Sequence, residues 1–302
     1  MLVTPFTFLL SLLASTRAVP VTLQSRSETP LSAAELSGLA PYTQFARAAY
    51  CPTSKLTGWN CGEACSALAG FQPTLVGGDG NLVQIFFVGF YPAKNTVVVA
   101  HEGTDPTKFL SLLTDANIFM GSLSPSLFPG ISSNAQVHEG FRDAHAKTAS
   151  SVLAEVKKLM AAHNTNSVTL VGHSLGGAIA ELDALFLTLN IPGASIKAVT
   201  YGTPRVGNPD FAELIDSKVP DFSRINNEKD VIPIVPGRFL GFAHPEGEIH
   251  ITSPGHAIHC SGNDDADDPD CTISTVPNIF VGNILDHLGP YEGINIGTIF
   301  CT

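Results

Sequence analysis

This sequence has little charge for its length. Of its 302 residues only 14% are Asp, Glu, Lys or Arg, and 16 basic residues face 27 acidic ones, a formal net charge of -11. That balance argues against nucleic acid and against anionic membrane surfaces as electrostatic partners. No later apolar run is long and uninterrupted enough to span a bilayer, so no transmembrane anchor is expected. Internal repeats, an inter-domain linker and Asn-x-Ser/Thr acceptors for N-glycosylation are also missing. So is the His-Glu-x-x-His pattern. The acid-rich run Asp264-Asp265-Ala266-Asp267-Asp268-Pro269-Asp270 lacks the spacing, Gly and Glu of an EF-hand and reads as a solvated loop. No metal and no cofactor are expected.

What is present is material for a core. Hydrophobic residues make up 44% of the chain, and its length suits one large α/β domain, placed at 32–302. Residues 1–18 read as a secretory signal, with an apolar stretch over 6–14 too short to cross a membrane and small residues before a cleavage point at Ala18. Residues 19–31 are polar and aperiodic, as in a leader or short propeptide. A secreted chain with six cysteines suggests three disulfides, for which fifteen connectivities are open. Cys61 and Cys65 flank a turn and Cys260 and Cys271 bracket a loop, which favours local pairing of each. Cys51 and Cys301 would then join the two ends of the domain.

The most informative stretch is Gly172-His173-Ser174-Leu175-Gly176. Residues 167–171 are short, apolar and β-branched, as in a buried strand. After Ser174, apolar residues recur at Ala178, Ile179, Leu182, Leu185, Phe186 and Leu189, the spacing of a helix face. A Gly-x-Ser-x-Gly between strand and helix is a nucleophile elbow, with the following N–H, here Leu175, available to an oxyanion. Further strands are predicted over 81–90, 96–100, 195–201, 222–226 and 248–252, and helices over 32–50, 136–163 and from Asn208 to about Lys218. Strands alternating with helices imply a mostly parallel sheet with helices on both faces.

A serine needs a base, held in turn by a carboxylate, and on such folds the chain order is Ser, acid, His. Asp230 fits, on a loop just past the 222–226 strand, whereas Asp183 and Asp216 fall in predicted helices and Asp210 in a first turn. Five histidines follow: His244, His250, His256, His259 and His287. Composition does not choose among them. Thr104 stands at the C-terminal end of the 96–100 strand, the edge where open α/β sheets bind ligands. Phe109, Leu112 and Leu113 would share one helical face inside a long loop.

Gly-His-Ser-Leu-Gly-Gly, Tyr201-Gly202-Thr203-Pro204-Arg205-Val206-Gly207-Asn208, Asp230-Val231-Ile232-Pro233, Val137-His138-Glu139-Gly140-Phe141 and Asp286-His287-Leu288 occur together. Carrying all five motifs, the chain resembles the fungal class 3 lipase family, which includes mono- and diacylglycerol lipases and feruloyl esterases. The resemblance implies an α/β-hydrolase fold with Ser174 as nucleophile, Asp230 as acid and His287 as base. It implies Thr104 and Leu175 as the oxyanion hole, and a short lid over about 105–114 carrying Phe109, Leu112 and Leu113. It supports the pairings Cys51–Cys301, Cys61–Cys65 and Cys260–Cys271. The expected activity is that of a secreted, monomeric serine lipase cleaving neutral acylglycerol esters at a lipid–water interface. A feruloyl or other carboxylesterase is the alternative.

Overall fold

The computed structural model describes Met1 and residues 29–106, 109–111, 118–264 and 268–301. The expected signal beyond Met1 and most of the 19–31 leader lie outside the described residues. Eleven strands are found among the described residues: β1 (Thr29–Pro30), β2 (Gln72–Gly77), β3 (Phe86–Tyr91), β4 (Thr96–His101), β5 (Met120–Ser122), β6 (Gln136–His138), β7 (Ser167–His173), β8 (Ser195–Tyr201), β9 (Asp221–Asn227), β10 (Glu248–Ser253) and β11 (His256–Cys260). Nine form one sheet in the order β1-β11-β10-β9-β8-β7-β4-β3-β2. Its centre, β4-β7-β8-β9-β10, is parallel, and antiparallel pairs close both sides.

Strand alternation divides the apolar runs between two cores. Phe86, Val88 and Phe90 of β3 face one, while Phe87 and Tyr91 face the other. The first core is covered by α2 (Glu139–Ala146), α3 (Ala149–His163), α4 (Leu175–Asn190) and α5 (Pro209–Lys218). The second is covered by α1 (Ala40–Ala48), with Pro41 in its first turn, where a missing N–H costs nothing. The helix predicted over 136–163 is divided in the structure. Residues 136–138 pair with β5 as a strand, and the chain turns at Lys147 and Thr148 between α2 and α3. Asn208 caps α5, its side chain accepting from Phe211 N–H. All six cysteines are paired: Cys51–Cys301, Cys61–Cys65 and Cys260–Cys271.

Helix α4 is buried on nearly every side, from Gly176 to Leu187, yet carries two carboxylates. Asp183 is held between His101 (2.7 Å) and His145 (3.0 Å), and the two imidazoles bring its pKa down to about 2 against the opposing effect of burial. Glu181 finds no hydrogen-bond partner among the described residues, and burial pushes its pKa up to about 8, with Arg224 opposing. The unfolded chain would ionise Glu181 near pH 4.5 while the fold keeps it protonated, so stability falls as pH rises from there to about 8. Glu181→Leu is therefore expected to stabilise the protein by about 1–4 kcal/mol at pH 8 and far less at pH 5. Denaturant midpoints at the two pH values check this. An equal gain at both would mean that packing, not ionisation, is responsible.

Candidate active site

Ser174 stands between β7 and α4 with φ 61° and ψ -129°, a left-handed backbone that side chains seldom adopt. The turn is tight because Gly172 lies against the backbone of Gly176 and Gly177, leaving no room for a Cβ. Tyr201 at the end of β8 receives the Ser174 N–H at 2.9 Å, and Gly177 N–H bonds to the Ser174 carbonyl. The serine is fully buried, and its Oγ has no hydrogen-bond partner among the described residues.

Asp230 follows β9, its N–H bonded to the Asn227 carbonyl. One carboxylate oxygen accepts from Ile232 N–H at 2.8 Å, and the other meets His287 Nδ1 at 2.8 Å. The two loops are cross-tied: Asn227 Nδ2 donates to the Asp286 carbonyl, Lys229 N–H to the Asp286 carboxylate, and Asn283 N–H to the Lys229 carbonyl. Gly202, with φ +50°, passes directly beneath. A Cβ there would lie 2.7 Å from both Asp230 Oδ2 and His287 Nδ1. Both side chains are essentially inaccessible, and His287 Nε2, like Ser174 Oγ, has no partner among the described residues.

The other histidines and acids weighed from sequence are engaged elsewhere. His244 and His250 are buried with ring nitrogens against carbonyl oxygens, and burial lowers His244 to about 3. His256 and His259 are exposed. Asp210 is exposed at the start of α5, Asp216 accepts from Glu246 N–H and Asn263, and Asp183 is enclosed by its two histidines. Asp264 departs from the expected solvated loop. It is buried in a two-point contact with Arg205 at 2.7 and 3.0 Å and accepts from His244 N–H, so its pKa is held well below the carboxylate range despite burial. Residues 265–267 of that run lie outside the described residues.

Thr104 is part-buried, one residue after Gly103, whose added Cβ would stand 2.8 Å from Ser174 Cβ. The 103–104 backbone thus borders the serine, as does Leu175 N–H at the start of α4. Glu102, just upstream, is pushed up to about 7 by burial, with Ile85 N–H acting against the rise. Phe109 is 2% exposed and packs on Phe141 with ring centroids 6.0 Å apart, while Leu112 and Leu113 lie outside the described residues. The sequence singles out neither Tyr50 nor His173, which the fold brings to within 2.6 Å of each other beside the serine. The only signal for Tyr50 was an aromatic residue placed immediately before Cys51.

Such a site can do acyl-transfer chemistry: a strained hydroxyl, an imidazole oriented by a carboxylate, and backbone donors where negative charge would form. A family model described as lipase (class 3) matches residues 98–240. The chain is 31% identical over 279 residues to the lipase of Rhizomucor miehei, a match covering 89% of this chain and 71% of that one. It is 32% identical over 164 residues to the secreted mono- and diacylglycerol lipase LIP2 of Malassezia restricta. That match covers 54% of this chain and 52% of the relative, so the chain spans about half of its length. Among solved structures, lipase II from Rhizopus niveus superposes with a TM-score of 0.79 at 29% identity, covering 91% of this chain and all of that one.

Proposed function

This chain belongs to the class 3 lipase family and has the α/β-hydrolase fold, and on that premise we propose that it is a secreted serine hydrolase of neutral acylglycerol esters. The observation that carries this reading is the buried His287–Asp230 pair at 2.8 Å, with His287 Nε2 and Ser174 Oγ both left without partners among the described residues. Ser174 attacks the ester carbonyl and His287 takes its proton. Asp230 holds the Nδ1–H so that Nε2 faces the reaction, and it stabilises the imidazolium that forms. Leu175 N–H and Thr104 hold the oxyanion. His287 then gives the proton to the leaving alkoxide, and water enters by the reverse sequence to release the acid.

A lipid–water interface is favoured by exposed apolar side chains in the stretch of chain that leads to His287. Phe280 is 91% exposed and Leu285, two residues before the base, is 67% exposed. Phe109, which falls in the proposed lid, packs on Phe141 of α2. No helix among the described residues is long and apolar enough to cross a membrane.

Emulsified triolein, diolein and monoolein compared with methyl ferulate test the proposal. At least one acylglycerol is expected to be cleaved with a kcat/KM about a hundredfold or more above that for the ferulate, since a hydrophobic pocket discriminates by roughly 10–200-fold for a single methylene of misfit and the two acyl groups differ by much more. Faster ferulate hydrolysis would replace the lipase reading with that of an aryl esterase. Cleavage of none would end both.

A further inference from the structure

The base and the proposed oxyanion segment at 103–104 reach the serine from distant parts of the chain, and a buried tyrosine and histidine stand between them. Tyr50 OH is 2.6 Å from His173 Nδ1, and His173 Nε2 is 2.7 Å from the backbone carbonyl oxygen of His287, contacts spanning 123 and 114 positions of sequence. Both side chains are within 4% of complete burial. Their directions of donation are fixed by elementary chemistry. A carbonyl can only accept, so Nε2 must carry a proton. Burial and the neighbouring His287 ring, 4.3 Å away, hold the His173 pKa well below its ordinary value, so the ring is neutral and Nδ1 is a bare acceptor. Tyr50 must then donate its hydroxyl proton to Nδ1. Burial and nearby Glu102 both oppose loss of that proton.

Each end of this chain of bonds meets a part of the candidate machinery. At one end the His287 carbonyl receives His173 Nε2–H and, at 3.1 Å, the Tyr291 hydroxyl. Its own ring lies against His173, so the backbone clamp and the ring contact together set the plane in which Nδ1 meets Asp230. At the other end Gly103 is crowded against the Tyr50 oxygen and the His173 carbonyl so closely that a Cβ there has no space. The next residue is Thr104.

We infer that Tyr50 and His173 are a positioning pair that holds His287 and the Gly103–Thr104 segment in register across Ser174. Neither acts as a base, because both nitrogens of His173 are already engaged. This role rests on the serine hydrolase reading, but the bonds themselves can be tested without turnover.

Nitrogen-15 NMR of the histidine side chains at pH 7 is expected to show His173 as the neutral Nε2–H tautomer. In Tyr50→Phe, which removes one oxygen, the Nδ1 resonance should move toward that of an unbonded acceptor. An Nδ1–H tautomer, or an unmoved resonance, overturns the inference. On dissolved p-nitrophenyl butyrate, Tyr50→Phe should lower kcat about tenfold and His173→Leu about a hundredfold, with KM within about twofold, since small misplacements of reacting groups act on the chemical step. His173→Gln, which keeps a donor for the His287 carbonyl, should recover about tenfold of the loss in the leucine variant. Wild-type kcat in Tyr50→Phe and His173→Leu, a glutamine variant as poor as leucine, or a change confined to KM overturns the pair. If His173→Leu fails to fold, Tyr50→Phe and the wild-type spectrum decide alone. A wild type that cleaves no ester would remove the hydrolase reading, while the spectrum still judges the bonds.

Discussion

Ser174→Ala is expected to lower kcat on a dissolved ester by a factor on the order of 10⁴ or more, with the thermal midpoint almost unchanged. The stability half of this expectation follows from the structure. Ser174 Oγ makes no hydrogen bond among the described residues, so its removal breaks no native contact, and alanine bears the same left-handed backbone no worse than serine. His287→Ala should cost a similar factor in rate but also some stability. It strips Asp230 of its 2.8 Å partner and leaves a buried carboxylate with only Ile232 N–H. Because the groups act as a unit, the double variant should be scarcely slower than either single one. Purified Ser174→Ala retaining more than a few per cent of wild-type turnover would sink the assignment of the nucleophile.

The second large effect is on stability. Cys51 and Cys301 are separated by 250 positions, and closing so long a loop restricts the unfolded chain by about 5 kcal/mol in the chain-entropy picture. The native contacts agree with a built junction, since Arg47 Nε also donates to the Phe300 carbonyl at 3.0 Å. Replacing both cysteines by serine should lower the thermal midpoint by roughly 10–15 °C for a domain of this size. The same exchange at Cys61 and Cys65, only 4 positions apart, should cost much less. Differential scanning calorimetry of the two double variants decides it. Equal losses would show that local packing, not chain entropy, is what each bridge provides.

The elbow was legible because everything that makes it is contiguous: β-branched strand, two small glycines, serine and helix within about twenty residues. The position of Asp230, just beyond a strand, was legible for the same reason. His287 was not separable from four other histidines by local pattern. What separates it is tertiary: His244 and His250 are turned toward carbonyls, and His256 and His259 face solvent. The 136–163 segment shows the same limit. Its helical periodicity concealed residues 136–138, whose conformation is set by β5 and by the Asn208 side chain, which accepts from Gln136 N–H. The carboxylates of α4 were invisible as core residues because the partners of Asp183 lie at 101 and 145. Asp264 left its acidic run for Arg205, 59 positions away, an exchange of hydration for a two-point ion pair that spacing cannot reveal.

The outermost strands of the large sheet have a bearing on how the protein behaves when concentrated. A free strand edge offers unpaired backbone groups to any neighbouring chain, and the mutual repulsion of copies with a net charge of -11 is screened by salt. Among the described residues one edge is β1, two residues long and ending in Pro30; the other is β2, with Pro73 and a register shift between Pro73 and Leu75. Proline has no N–H to donate and an irregular strand does not present a continuous row of acceptors, so both borders are poor templates for another strand. Crowded molecules are thereby steered away from the edge-to-edge stacking that begins aggregation, a protection that acts alongside the repulsion between chains of net charge -11.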